Sequence, residues 1–188
     1  MKYKNITFIL ISSVFSILLI YFSLNNDLWK SLWSFLNIPS QLPPFSDLDS
    51  IVRALKSKNE GLDPYFNNPY DLSQKPYSYT LLWLNIFEIL KLDNDFNFKL
   101  LNFLIIFLYV FIYFKLSQSI NLKLYSTFLL LSFFSTSSLL LLERLNIDII
   151  IFILVFFLSI SKKLYLKLPL FFFSIFLKLY PIFTVFIF

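Results

Sequence analysis

Long apolar runs separated by short polar stretches constrain this chain more than any other feature. The runs cover residues 6–24, 100–116, 124–142, 145–161 and 168–188. Hydrophobic residues make up 58% of the 188 residues, and 26 are phenylalanine, which is more apolar surface than a soluble domain can bury. Since a spanning helix needs about 20 apolar residues, the sequence predicts an all-α, polytopic helical membrane protein with about five transmembrane helices.

Three segments follow from the distribution of the polar residues. Residues 1–24 predict a signal-anchor transmembrane helix, because Lys2 and Lys4 precede the apolar run and no small-residue cleavage site follows it. Residues 25–97 are rich in turn formers and predict an extracytoplasmic loop with amphipathic juxtamembrane helices. Residues 98–188 predict a transmembrane bundle of about four spans. The chain ends inside an apolar run, so we expect an N-terminal fragment of a truncated reading frame.

The topology depends on the apolar segment 79–90, which is shorter than the roughly 20 residues that a spanning helix needs. If this segment crossed the membrane, the lysines of the later loops would all face outward. If it lies on the surface, those lysines share one side with Lys2 and Lys4, as the positive charge of cytoplasmic loops favours. We therefore predict a cytoplasmic N-terminus, with all 11 acidic residues and the long loop on the outer side.

The composition also limits the chemistry. The chain has no histidine and no cysteine, so any reaction must use carboxylates, lysine, arginine, tyrosine or amides. We expect neither a metal nor a cofactor. The net charge is +5, but the basic residues flank apolar runs and form no exposed stripe. This pattern predicts membrane lipid as a partner and argues against nucleic acid.

Charged residues interrupt the apolar pattern at two places, and charge so close to lipid by default marks a functional site. The first is the stretch from Glu143 through Arg144 to Asp148. Arg144 could bind an anion with its fork of donors, or it could pair with Glu143 or Asp148 at a helix end. The second is Lys178, inside the run 168–188. We expect it far from both interfaces, where a functional or paired role is favoured over snorkelling.

The loop contains a clear helix signal that begins near Ser46. Ser46 and Asp49 have the spacing of a capping box, and Gly61 can supply the C-terminal stop. The apolar residues from Leu48 to Leu55 recur at helical spacing, so the helix is amphipathic and is expected to lie on the bilayer. A turn with the sequence Gly-Leu-Asp-Pro-Tyr follows at once.

The order of these features resembles the integral-membrane glycosyltransferases of the GT-C superfamily. The closest likeness is to bacterial polyprenyl-phosphate-dependent mannosyl- and arabinosyltransferase-like proteins, and it extends over nearly the whole chain. The matching features are the signal anchor, the early Asp47 of the loop, the Gly-Leu-Asp-Pro-Tyr turn, a Tyr-rich entry to a short apolar helix, and Arg-Leu-Asn-Ile-Asp at 144–148. Two positions depart from the family pattern. Tyr77-Ser78-Tyr79 replaces Tyr-Pro-Pro, and Leu145 replaces a glycine.

The resemblance implies a glycosyltransferase of the bacterial inner (plasma) membrane. It would transfer a sugar from a polyprenyl-phosphate donor to a glycan or lipid acceptor on the outer side, without a cofactor. By motif position Asp47 would be the catalytic base, and Arg144 and Lys178 would bind the donor phosphate. The secondary candidates are Asp49, Asn146, Asp148, Tyr77 and Tyr79.

Other interpretations stay open at this point. Asp47 and Asp49 are also the residues that a helix N-terminus favours, and Asp49 would serve as a cap. Tyr77 and Tyr79 could belong to an interfacial aromatic belt. As a whole, the chain could be a transporter or flippase for lipid-linked sugars, or a non-catalytic membrane protein. A transporter is expected to show inverted repeats and helices broken by glycine, and this chain has one glycine.

Overall fold

The computed structural model describes residues 2–71, 74–119 and 123–178, and within these ranges it is helical and has no strand. The helices are α1 (Lys2–Ser23), α2 (Asn26–Phe35), α3 (Ser46–Asn59), α4 (Leu81–Ile89), α5 (Asp95–Ser119), α6 (Lys123–Phe133), α7 (Thr136–Arg144), α8 (Ile147–Ile160) and α9 (Leu164–Leu177). The prediction of an all-α chain is confirmed.

Among the described residues, one helix is long and apolar enough to cross a membrane by itself. It is α5, over Asp95–Leu116. Helices α6 and α7 would supply a second candidate if Thr127–Phe133 and Thr136–Arg144, which are bent by 44°, acted as one span. Shorter apolar helices cover Leu10–Ser23, Ile147–Ile160 and Leu164–Leu177. Since a full crossing needs about 20 residues, length and composition single out α5.

The span predicted over residues 124–142 consists of two separate helices, α6 and α7. Ser135 caps α7 by accepting a hydrogen bond from the backbone N–H of Ser138 at 3.3 Å. The hydroxyl of Ser138 in turn donates to the carbonyl oxygen of Ser132 at 2.8 Å. Serine side chains offer the backbone an alternative to continuous helical hydrogen bonds, and this cluster therefore separates the two helices.

Helix α9 also differs from the prediction, which placed Lys178 inside an apolar helix over 168–188. The helix begins earlier and ends at Leu177, so Lys178 follows it with an extended backbone (φ −160°, ψ 134°). The remainder of the predicted run, 179–188, lies outside the described residues.

Four of the described helices end on the same turn, in which one residue adopts a left-handed backbone. At the end of α3 this residue is Gly61 (φ 80°), as predicted. Asn37, Lys91 and Leu145 hold the same position after α2, α4 and α7, with φ of 55°, 51° and 49°. In each case two backbone N–H groups bond back to carbonyls of the last turn, which satisfies the helix end. Only glycine adopts this conformation without steric cost, so only Gly61 was visible in the sequence.

The helices pack as two compact units. The first consists of Met1–Ser46 and Lys99–Ile149, and in it α1 packs against α2. The second consists of Asp47–Phe98 and Ile150–Phe188, and in it α4 packs against α9. The loop helix α3 thus belongs to the second unit, with the exception of its first residue.

Helix α3 buries the apolar stripe that we expected to lie on lipid. Leu48, Ile51 and Leu55 are at most 1% exposed. Burying a side chain of this size stabilises a fold by about 1.5–3 kcal/mol, so the stripe accounts for the position of the helix in its unit. The polar face of α3 is the face left to meet the rest of the loop.

Candidate functional site

Asp47 and Asp49 lie in the first turn of α3, where the predicted capping box does not form. The helix begins at Ser46 itself, so Ser46 lies inside the helix and not ahead of it. The hydroxyl of Ser46 donates to the side-chain oxygen of Gln41 at 2.8 Å. Asp49 forms an ion pair with Arg53, one turn further along. Asp49 lies in the first turn, where a negative charge is favourable, and its carboxylate pairs with Arg53.

Asp49 lies in an environment that favours its protonated form. Burial raises the pKa of Asp49 above its ordinary value of 3.8. Arg53 opposes this rise through its charge and a hydrogen bond, while the nearby Asp71 carboxylate adds to it. Asp49 therefore holds its proton more strongly than an exposed aspartate does.

The loop after α3 is tied to the polar face of the helix. The hydroxyl of Ser57 donates to Oδ1 of Asn68 at 2.7 Å, and both side chains are buried. Nη1 of Arg53 donates to the carbonyl oxygen of Tyr70 at 3.2 Å. The predicted turn also forms, since Oδ1 of Asp63 accepts from the N–H two residues on at 3.0 Å. These contacts hold residues 63–71 against α3.

A cluster of tyrosine rings closes the other side of the loop. The rings of Tyr65 and Tyr77 meet edge to face with centroids 5.3 Å apart, and those of Tyr77 and Tyr79 at 5.8 Å. The hydroxyl of Tyr65 donates to the carbonyl oxygen of Tyr79 at 2.9 Å. The backbone N–H of Tyr77 donates to the carbonyl oxygen of Pro64 at 2.8 Å. Tyr77 is buried, and burial raises the pKa of its hydroxyl, which is therefore neutral.

A cavity of about 390 Å³ lies between α3 and this loop, and all of its lining residues belong to the second unit. Ser50 of α3 forms one wall. The loop contributes a buried amide, a carboxylate, an ammonium group and two aromatic rings, from Asn68, Asp71, Lys75, Tyr77 and Tyr79. Ligand pockets commonly measure about 300–1,000 Å³ and combine apolar walls with a few polar groups, so this cavity has the size and lining of a small binding site.

Asp47 lies one turn of α3 before this cavity. The hydroxyl of Ser50, which lines the cavity, donates to the backbone carbonyl oxygen of Asp47 at 2.7 Å. Residues three apart are neighbours on one helix face, so Asp47 adjoins the wall that Ser50 forms. Asp47 is half-buried.

The second charged stretch is organised around Glu143 and not around Arg144. Glu143 is completely buried, and its Oε1 accepts a hydrogen bond from the backbone N–H of Gln41 at 2.6 Å. Its Oε2 lies 3.8 Å from Nε of Arg144, whose side chain is 32% exposed. The structure thus contains the pairing that was the alternative interpretation of Arg144, while the phosphate contact stays a prediction. From the sequence, Glu143 was expected only as a possible partner of Arg144, although a carboxylate inside an apolar run is itself a signal for a buried polar contact.

Asn146 and Asp148 form the start of α8. Oδ1 of Asn146 accepts a hydrogen bond from the backbone N–H of Asp148 at 2.9 Å, which satisfies an otherwise unpaired helix donor. Asp148 lies in the first turn of the helix, where a negative charge is favourable. Asn146 therefore has a structural role as a helix cap.

The candidates divide between the two units. Tyr77 and Tyr79 line the cavity of the second unit, and Asp47, Asp49 and Lys178 belong to the same unit. The first unit contains Arg144, Asn146 and Asp148. Asn68, Asp71 and Lys75 line the cavity but were not selected from the sequence, because polar loop residues follow no periodic pattern.

Among the described residues, no group of three or more acidic side chains is placed to hold a metal ion. Comparison with known proteins finds no family model, no curated protein and no solved structure that matches this chain. The function therefore has to be argued from the cavity and its surroundings.

Proposed function

We propose that this chain is a multi-pass glycosyltransferase of the bacterial plasma membrane. It transfers a sugar from a polyprenyl-phosphate donor to an acceptor on the outer side of the membrane. The observation that carries the proposal is the cavity against α3, which is lined by tyrosine rings and polar groups and has Asp47 one helical turn before Ser50 of its wall. Aromatic faces with hydrogen-bonding groups suit a sugar, and a carboxylate suits removal of a hydroxyl proton.

In the proposed reaction Asp47 acts as the general base. It takes the proton of the acceptor hydroxyl while the hydroxyl oxygen bonds to the anomeric carbon of the donor sugar. The bond from that carbon to the phosphate oxygen breaks, and polyprenyl phosphate leaves with the electron pair. Arg144 and Lys178 are proposed to stabilise the growing negative charge, Arg144 as a bidentate donor and Lys178 as a point charge. Asp49 is less suited to the role of base, because it pairs with Arg53.

The conformation of Leu145 also supports the proposal. This residue occupies the place where the GT-C pattern has glycine, and it adopts a left-handed backbone with φ 49°. Glycine is the residue that this conformation favours. Leu145 therefore replaces the family's glycine at a position where the backbone is left-handed, and this conformation is the reason to expect a glycine there.

The exposed side chains support a membrane environment. Helix α1 exposes Leu10, Val14 and Ile17, which follow one face, and α9 exposes Phe172 and Phe176, one turn apart. Contiguous apolar surface of this kind is uncommon on soluble monomers. We propose that these faces meet lipid, and that the helices α1 and α5 to α9 contribute the spans.

The test is transfer of radiolabelled sugar by the purified chain in lipid vesicles, with polyprenyl-phosphate mannose and polyprenyl-phosphate arabinose as donors. We expect Asp47→Asn to lower turnover by about 10²–10⁴-fold, since the amide cannot take a proton. Donor binding should change little. Asp93→Asn, an exposed acid in the same unit, is the matched control and should retain activity. If Asp47→Asn turns over as fast as the wild type, Asp47 is not the base. If the wild type transfers sugar from neither donor, the proposed enzyme activity is wrong.

A further inference from the structure

We propose that the cavity between α3 and the loop is a binding site for one neutral sugar ring of the acceptor. The assignment of this sugar to the acceptor rests on the proposed function, whereas the neutral sugar chemistry of the ligand follows from the residues that line the cavity. The cavity of about 390 Å³ lies near the lower end of the usual range of about 300–1,000 Å³. It therefore fits a single ring better than a long glycan or a lipid tail.

The charges of the lining favour a neutral ligand. Asp71 and Lys75 contribute one negative and one positive group. The neighbouring acid Asp49 is paired with Arg53, so the charges around the cavity include both signs. An anion such as phosphate would meet the Asp71 carboxylate. A sugar, whose hydroxyl groups both donate and accept, can use the carboxylate and the ammonium group together.

The neutral groups of the lining add acceptors, donors and an apolar surface. Asn68 uses its Oδ1 to accept from Ser57, which leaves the amide nitrogen as the group able to donate to a ligand. Ser50 and Ser78 supply hydroxyls, and the rings of Tyr77 and Tyr79 supply flat apolar faces. The C–H face of a sugar packs on such rings while its edge forms hydrogen bonds.

The walls of the cavity are held in place before any ligand binds. Ser57 fixes Asn68, and Arg53 holds the backbone of Tyr70. On the opposite wall, Tyr65 holds the backbone of Tyr79 at 2.9 Å. Binding is stronger when the site does not have to be ordered first, and these hydrogen bonds therefore favour a dedicated site.

The position of the cavity explains why its sugar belongs to the acceptor. Ser50 lines the cavity and bonds to the backbone of Asp47, one helical turn away. A ring held against Ser50 is thus placed next to the proposed base, which must reach an acceptor hydroxyl. The cavity has one ammonium group and no arginine in its lining, whereas a donor phosphate calls for several cations.

Saturation-transfer NMR on the intact chain in lipid nanodiscs tests the site, with methyl α-D-mannopyranoside as the neutral probe and inorganic phosphate as the anionic one. Nanodiscs are needed because glycoside detergents would compete for the cavity. We expect saturable binding of the glycoside and no competition by phosphate. Asp71→Asn should weaken binding at least about tenfold, the equivalent of about 1.4 kcal/mol, because a charged acceptor is lost. The amide oxygen can still accept from the N–H of Lys75, which bonds to Asp71 at 3.1 Å.

Ser78→Trp, which fills the cavity from an exposed position, should abolish binding of the glycoside. Ser159→Trp, an exposed serine of α8, is the matched control and should leave binding unchanged. Binding that survives Ser78→Trp, or no saturable binding by the wild type, would overturn the sugar site. Displacement of the glycoside by phosphate would overturn it in favour of an anion site. Sugar binding without transfer would retain the site and overturn the proposed enzyme. Transfer that is unaffected by Asp71→Asn and Ser78→Trp would retain the enzyme and overturn the site.

Discussion

The loop around α3 and the apolar helices after it are stabilised by different kinds of hydrogen bond. In the loop, side chains join residues that are far apart in sequence: Ser57 bonds to Asn68, and Lys58 bonds to Glu88 at 2.6 Å. In the apolar helices, serine hydroxyls such as those of Ser159 and Ser174 donate to the carbonyl three residues back in the same helix. Polar contacts thus join distant parts of the loop, whereas these two hydroxyls satisfy only the local backbone.

Glu143 breaks this division, because a carboxylate from an apolar run forms a long-range polar contact. It accepts from Gln41, which lies in the long loop ahead of α3. Gln41 in turn accepts from Ser46 at the start of that helix. Within the first unit, Glu143 therefore holds the segment that leads into the proposed catalytic helix. The comparison predicts that removing a long-range contact costs far more stability than removing a local one.

The largest effect is expected at Glu143. Glu143→Ala removes the charged acceptor of the Gln41 N–H from a completely buried position and should lower the free energy of unfolding by about 3 kcal/mol. Glu143→Gln keeps an acceptor oxygen and should cost about half as much, since the charge no longer strengthens the bond. Thermal unfolding followed by tryptophan fluorescence measures both. Equal stability of Glu143→Ala and wild type would show that the contact with Gln41 contributes nothing.

The next effect compares one serine from each region. Ser57→Ala leaves Oδ1 of buried Asn68 unpaired and should cost about 1–3 kcal/mol. Ser159→Ala removes only a local, exposed hydrogen bond and should change stability by no more than about 0.5 kcal/mol. Unfolding midpoints of the two variants in the same lipid or detergent give the comparison directly. If the two substitutions cost the same, the distinction between the regions fails.

A smaller effect is expected at the left-handed residues that end the helices, where adding a side chain should lower stability and removing one should raise it. Gly61→Ala places a side chain at φ 80° with open space around its Cβ, so the cost is only that of the backbone, about 1 kcal/mol. Lys91→Gly removes an exposed side chain from the equivalent position of α4, at φ 51°, and should stabilise by about 1 kcal/mol. Parallel thermal unfolding of the two variants checks the signs. Destabilisation by Lys91→Gly would contradict the strain argument.

The smallest effect concerns pH and Asp49. Because the pKa of Asp49 is raised in the folded state, its protonation favours folding, and this contribution is complete below the ordinary pKa of 3.8. The contribution is lost as pH rises through the raised folded pKa. Asp49→Asn should therefore flatten the fall in stability as pH rises above 3.8, which a series of unfolding curves across that range would reveal. A steeper fall in Asp49→Asn would mean that the pKa is lowered by Arg53 instead.

Much of the fold follows from local pattern. Apolar runs located α1, α5 and α8, while amphipathic spacing and Gly61 located α3. The predicted helix bounds differ from the structure where side chains compete for backbone hydrogen bonds and where a helix ends within an apolar run. The serines near Ser135 interrupted a run that hydropathy alone treats as continuous, and α9 ended before Lys178. Hydropathy averages over such residues and does not register their hydrogen bonds.

The candidate site was accessible only in part. Asp47, Asp49, Tyr77 and Tyr79 were selected from the sequence because a resemblance in motif order identified them. The cavity that Tyr77 and Tyr79 line could not be predicted, since it depends on hydrogen bonds between α3 and a loop more than ten residues away. Sequence spacing carries no information about which loop residue such a bond selects.

The sequence by itself determined that this chain is helical, that its apolar runs form the helices, and that Asp47 and Asp49 begin the helix of the loop. These features depend on interactions within a few residues, which a linear pattern records. Only the tertiary structure decided that Glu143 is the buried member of its charged pair, and that Asp71 and Lys75 share a cavity with Tyr79. Burial and long-range hydrogen bonds depend on where distant residues meet, and packing sets those positions.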